Sequence, residues 1–214
     1  MIYIMETILI SQDVIKPIHI VFNNDKSHPT YHPQIIKILT KIFKNYEGKE
    51  GNLIVDYCEN AFASIYAKCV GFKTLYINGN YKYGNILEAF KRINSISDFN
   101  RIHTWRDVNG LIKTKKVILQ ISDKPQHILN SKRLIGNERL DNILIILKDK
   151  IIDLDELEES IAYLHINKYS FYHITKEGMT PFDKRRDIDI TNSIAILCIH
   201  RNSLFRSDYV IYFD

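Results

Sequence analysis

Two apolar runs constrain this chain most: Lys116 to Ser122 reads KVILQIS and Asn142 to Leu147 reads NILIIL. Neither alternates polar with apolar residues, so both sides of each pleat must be covered, as in a mainly parallel sheet with helices on both faces. Helical periodicity fills the intervals. Gln34 to Tyr46 places Ile35, Ile38, Leu39, Ile42 and Phe43 on one helical face after the punctuation of Pro29 and Pro33, and Leu154 to Leu164 reads as an acidic amphipathic helix starting after Asp153. Asn52 to Asp56 (NLIVD), an Ala-rich helix from Glu59 to Val70 and the strand Phe72 to Ile77 (FKTLYI) make a βαβ unit. Further segments read as a helix at 85–94 and strands at 102–105, 169–174, 193–200 and 209–213. Residues 7–10 and 18–22 read as short strands outside the repeat. The expected architecture is one Rossmann-like α/β domain over 1–214, with 1–30 as an N-terminal appendage.

The composition fits that expectation. With 214 residues, 45% of them hydrophobic, the chain can bury a full core without disulfides or structural metal. Its cysteines, Cys58, Cys69 and Cys198, form no CxxC pair and sit among apolar residues, as reduced thiols in a cytosol-like compartment do. No apolar run approaches the roughly 20 residues of a membrane span, and the N-terminus lacks a basic segment followed by a long apolar one. A cytoplasmic protein without membrane contact is therefore expected. The net charge of +4 permits an acidic partner such as nucleic acid without demanding one. Abundant Ile, Lys, Asn and Tyr with few Gly and Pro match the usage of an AT-rich genome, and a viral source is the expectation.

In an open α/β sheet, ligands bind beyond the carboxyl ends of the strands. Four polar strand ends qualify: Asp56-Tyr57-Cys58-Glu59-Asn60, Asn78-Gly79-Asn80, Ser122-Asp123-Lys124-Pro125 and Lys148-Asp149-Lys150. Asp123 either faces a substrate or caps the next turn. Partial burial would lower the pKa of Lys148 toward that of a useful base, whereas snorkelling to water would leave it an ordinary surface lysine.

The order of a helix bearing Lys37, a strand ending in Asp56, a strand ending in Asp123, a strand ending in Lys148, a basic loop and closing strands resembles the RNA ribose 2′-O-methyltransferases of the FtsJ type, which include viral cap methyltransferases. The resemblance implies S-adenosylmethionine as cofactor, RNA as partner and a Lys-Asp-Lys-Glu tetrad. Lys37, Asp123 and Lys148 occupy the first three positions, and Ser193, or Asn192, stands where the family has Glu unless Asp187 or Asp189 substitutes. Asp56, Cys58, Asn60, Asn78 and Asp107 would then contact the cofactor, and Lys184, Arg185 and Arg186 would grip RNA phosphates; no metal is implied. The cofactor loop departs from the family: Asp56 to Ala63 contains no glycine, where close backbone approach favours small residues. An S-adenosylmethionine-dependent enzyme and a non-catalytic subunit that binds RNA or a protein partner both remain open.

Phe62 and Glu59 are expected to narrow the pocket after Asp56 and weaken cofactor binding, unless Phe62 turns into the helix–sheet core beside Ile65 and Tyr66. His28 and His32 are four apart, but the intervening prolines oppose a shared helical face for a metal. Trp105, Tyr81 and Tyr83 are candidates for stacking on bases or for ordinary packing. The Glu156, Glu158, Glu159 run reads as a solvated helix face.

Overall fold

The computed structural model describes residues 4–8, 18–22, 32–49, 52–58, 62–77, 100–102, 116–147, 152–183 and 188–205. Strands β1 (Ile4–Ile8) and β2 (Ile18–Phe22) pair antiparallel as a separate ribbon. The remaining strands are β3 (Asn52–Asp56), β4 (Lys73–Ile77), β5 (Asn100–Ile102), β6 (Lys116–Ser122), β7 (Leu140–Ile146), β8 (Tyr169–Ile174), β9 (Met179–Phe182) and β10 (Ala195–His200). They form one sheet in the order β5-β4-β3-β6-β7-β10-β8-β9. Neighbours from β5 to β7 are parallel, while β10 runs antiparallel between β7 and β8. The parallel part is doubly wound, and its order reverses between β3 and β6.

Helices cover both faces, as the doubly apolar strands require. On one face α1 (Pro33–Tyr46) and α2 (Phe62–Cys69) bury Ile35, Ile38, Leu39, Ile42, Phe62, Ile65 and Tyr66 against Ile54, Leu119, Ile121 and Leu144. On the other, α3 (Gln126–Asn130), α4 (Lys132–Gly136) and α5 (Leu154–Ile166) bury Ile128, Ile135, Leu157, Ile161 and Leu164 against Val55, Val117, Ile143 and Ile145. Each fully buried Leu, Ile or Phe adds about 1.5–3 kcal/mol relative to exposure. Asp153 caps α5, its Oδ1 accepting the Glu156 N–H at 3.1 Å.

A register shift between Leu53 and Ile54 inserts one extra residue, Ile118, into β6. Consequently Ile118 and Leu119 both join the core on the α1 side. The buried Asn142 amide answers the disruption by donating to the Ile118 carbonyl at 2.8 Å. Its other end accepts from Ser203 Oγ at 2.9 Å. Tyr46, in the last turn of α1, donates to Asp141 Oδ2 at 2.5 Å, lies 3.1 Å from Ser203 Oγ and accepts the Leu204 N–H at 3.0 Å. Lys116 Nζ pairs with the same Asp141 oxygen at 2.8 Å. This buried network joins α1, β6, β7 and the segment after β10 at the amino edge of the parallel strands, away from the edge where ligands bind.

The structure differs from the sequence expectations in four described places. The first short strand occupies Ile4–Ile8 rather than 7–10, and the strand expected at 102–105 is Asn100–Ile102. Gln126–Asn130 and Lys132–Gly136 form two single-turn helices, too short for a periodic signal. Met179–Phe182 forms an edge strand despite Pro181, an edge being where a strand tolerates a missing N–H. The helix expected at 85–94 and the strand at 209–213 lie outside the described residues, as does most of the 1–30 segment.

Candidate functional site at the carboxyl edge of the sheet

β3 and β6 end side by side, Asp56 lying opposite Ile121 and the Tyr57 N–H donating to the Ile121 carbonyl at 2.9 Å. The strand ends thereby bring Asp56 and Asp123 to one edge at the point where the sheet order reverses, the crevice where an α/β sheet takes its ligand. Asp56 is fully buried. Its Oδ1 accepts the Cys58 N–H and its Oδ2 the Ser64 N–H, each at 2.9 Å. The carboxylate thus turns the chain into the first turn of α2, using donors that have no partner within a helix. Burial pushes the Asp56 carboxyl up to about 6 against these bonds, and the nearby Asp123 charge adds to the rise.

The turn after β6 is equally braced. Ser122 Oγ donates to the Lys124 carbonyl at 2.7 Å, accepts the Lys124 N–H at 3.1 Å and lies 2.8 Å from His127 Nδ1. The Ser122 proton is used, so the tautomer that satisfies both groups carries hydrogen on Nδ1. The His127 ring stacks on Tyr57 with centroids 4.5 Å apart. Burial, with Lys124 nearby, lowers the imidazole to about 4, which leaves it neutral at pH 7. Ser131 Oγ donates to Gln120 Oε1 at 2.6 Å, and Gln120 Nε2 donates to the His127 carbonyl at 3.2 Å. Asp123, half-buried, is carried on this rigid turn. The spacing of histidines in the sequence gave no sign of His127; its position just past a strand end was the available signal.

α1 reaches the same edge. β8 runs parallel to β7, since both are antiparallel to β10, and Gln34 Nε2 donates at 2.9 Å to the carbonyl of Lys176, just past the end of β8. His32 caps the helix by accepting the Gln34 N–H on Nδ1 at 3.3 Å. Lys37, one turn further, is exposed. Ser193 lies two residues before the start of β10 at this edge, and its hydroxyl sits 2.8 Å from Nδ1 of His173, whose Nε2 accepts the Asp189 N–H at 3.4 Å. Leu147, at the end of β7, donates its N–H to the Ile194 carbonyl at 3.0 Å.

Of the cofactor candidates, Asp56 and Cys58 are buried and brace the corner. Phe62 is fully buried in the core, its ring centroid 6.2 Å from that of Tyr66. It therefore takes the core position, and the expectation that it narrows the pocket is corrected. Asn60, Asn78, Asp107, Lys148, Lys184, Arg185 and Arg186 lie outside the described residues, as do Glu59, His28, Trp105, Tyr81 and Tyr83. Of the acids of α5 read as a solvated face, Glu158 and Glu159 are exposed and Glu156 is half-buried. Among the described residues Cys58 and Cys198 are buried and Cys69 is half-buried, and no group of three or more His, Cys, Asp or Glu could hold a metal. Nor is any described helix long and apolar enough to cross a membrane.

No protein-family model matches the chain and no curated protein matches it in sequence. Its fold does have solved relatives. An rRNA methylase from Streptococcus thermophilus superposes with a TM-score of 0.50 at 12% identity, covering 77% of this chain and 93% of that one. A putative S-adenosylmethionine-dependent methyltransferase from Streptococcus mutans gives 0.51 at 10% identity, covering 85% and 52%. WbdD, solved with a kinase inhibitor, gives 0.55 at 14% identity, covering 82% and 42%, so this chain spans about half or less of the last two. The fold is Rossmann-like and of the S-adenosylmethionine-dependent methyltransferase type.

β3 ends at the switch point and α2 starts after it, the kind of strand end and helix N-terminus at which an α/β sheet takes such a cofactor. The Asp56 carboxylate is the brace of that strand end, because both oxygens already serve the chain's own N–H groups.

Proposed function

We propose that this domain transfers a methyl group from S-adenosylmethionine to a ribose 2′-hydroxyl of RNA. The observation that carries the reading is the convergence at one edge of Asp56, Asp123 and the first turn of α1, which leads into Lys37. Bound S-adenosylmethionine would supply an electrophilic methyl group, with Asn60, Asn78 and Asp107 as the residues that hold it. Lys148 takes the hydroxyl proton, and a desolvated lysine with a depressed pKa is suited to that task. Asp123 and Lys37 orient Lys148 and tune its charge, while Ser193, held by His173, occupies the fourth position. Lys184, Arg185 and Arg186 grip RNA phosphates. An intracellular, viral RNA-processing setting fits this chemistry.

Isothermal titration with S-adenosylmethionine and with its demethylated product tests the reading. Saturable binding of both is expected. General-base help is typically worth about 10²–10⁴ in rate, so Lys148→Ala should lower methyl transfer by that order while leaving cofactor binding intact. A second reading, a methyltransferase-fold subunit that binds RNA or a partner without catalysis, is favoured by the Asp56 carboxylate being closed on its own loop. Absence of cofactor binding at high protein concentration would select it.

A further inference from the structure

The outer surface of α1 bears a basic stripe of which the proposed reaction uses only Lys37. Lys37, Lys41 and Lys44 follow at i, i+4 and i+7, which places them within one narrow arc of the helix, opposite the buried arc of Ile35, Ile38, Leu39, Ile42 and Tyr46. The fourteen residues of α1 include no acid. Lys41 lies below the ordinary lysine pKa through partial burial and the charge of Lys37 beside it, so the stripe is a local concentration of like charge. On the opposite face of the sheet α5 carries Asp155, Glu156, Glu158 and Glu159 and has no lysine or arginine, while α4 beside it bears Lys132 and Arg133.

The direction of α1 sets where such a stripe leads. Its first turn meets Lys176 at the carboxyl edge and its last turn meets Asp141 and Ser203 at the amino edge. Lys37 therefore stands nearest the carboxyl edge, and Lys44 lies about 10 Å further along the helix at 1.5 Å per residue.

We infer that the Lys37-Lys41-Lys44 stripe is a track for the phosphate backbone of single-stranded RNA, leading from the outer face of α1 to the crevice. The inference rests on RNA being the substrate. Charge complementarity selects a polyanion for this face and disfavours one on α5. Phosphates spaced along a flexible strand can meet lysines one helical turn apart, and the affinity they provide is independent of sequence.

The test is fluorescence anisotropy of a labelled single-stranded RNA with the full chain across a salt series, without cofactor. The variant is Lys41→Gln/Lys44→Gln, which leaves Lys37 in place. Each phosphate contact on a single strand contributes about 0.7 to the slope of log affinity against log salt, so the double variant should flatten the slope by about 1.4 and bind more weakly. Lys41→Arg/Lys44→Arg should keep the wild-type slope. A control on the opposite face, Lys132→Gln/Arg133→Gln, alters the net charge equally and should leave the slope unchanged. Equal loss in the control and the stripe variant, an unchanged slope in the stripe variant, or no RNA binding by the wild-type chain would each overturn the inference. Stripe-dependent binding without methyl transfer would retain the track and remove the catalytic reading; methyl transfer with an unchanged slope would do the reverse.

Discussion

Asp56 and His127, adjacent at the carboxyl edge, impose opposite pH dependences on stability. The folded chain binds the Asp56 proton more tightly than the unfolded chain, since burial raises that carboxyl from 3.8 to about 6. Its contribution is complete below about pH 4 and is lost as pH rises to 6, on the order of 2–3 kcal/mol. For His127 the folded value falls from 6.5 to about 4, so stability from that group is lost as pH falls through the same window. The two largely offset each other in the wild type. Single variants separate them: in urea unfolding between pH 4 and 7, His127→Gln should gain stability on acidification relative to wild type, and Asp56→Asn should lose it. Parallel curves for all three proteins would contradict the burial assigned to these groups. Asp56→Asn should also cost about 1–3 kcal/mol at pH 7, because one of the two N–H groups it satisfies is left without its acceptor. Both acids at this edge were legible in the sequence because each directly follows an apolar strand. His127 was not, since its partners Ser122 and Tyr57 are made neighbours by a turn and by pairing of β3 with β6.

At the scale of elements, β3, β6 and β8 were legible as short apolar runs bounded by polar residues, and α1 and α5 as unbroken helical periods. Beyond local reach were α3 and α4, of five residues each, and the insertion of β10 between β7 and β8, which long-range pairing decides. The amino-edge network was equally hidden, although its members explain why α1 docks where it does. Tyr46→Phe removes a hydroxyl shared by Asp141, Ser203 and the Leu204 N–H. It should destabilise the fold by about 1–3 kcal/mol in urea unfolding while leaving cofactor affinity unchanged, because the network lies at the edge opposite the crevice. A changed affinity would show that the two edges are coupled. Asp153→Ala removes the cap of α5 and should cost about 0.5–2 kcal/mol with no effect on RNA binding.

Across the whole molecule, one sheet separates a lysine-striped helix from an acidic one, with the carboxyl edge of the parallel strands between them. Doubly apolar strands dictated the sheet and its covering, and the resemblance carried by Lys37, Asp123 and Lys148 led to the methyltransferase type of fold. The loop after Asp56 has no glycine, and the buried Asp56 carboxylate accepts the N–H groups of Cys58 and of Ser64 in α2. The most direct measurement is mass spectrometry of nucleosides released from single-stranded RNA after incubation with the full chain and S-adenosylmethionine. A 2′-O-methylated nucleoside that disappears with Lys148→Ala and Asp123→Asn is the predicted result; RNA recovered unmethylated from a wild-type chain that also binds no cofactor would contradict it.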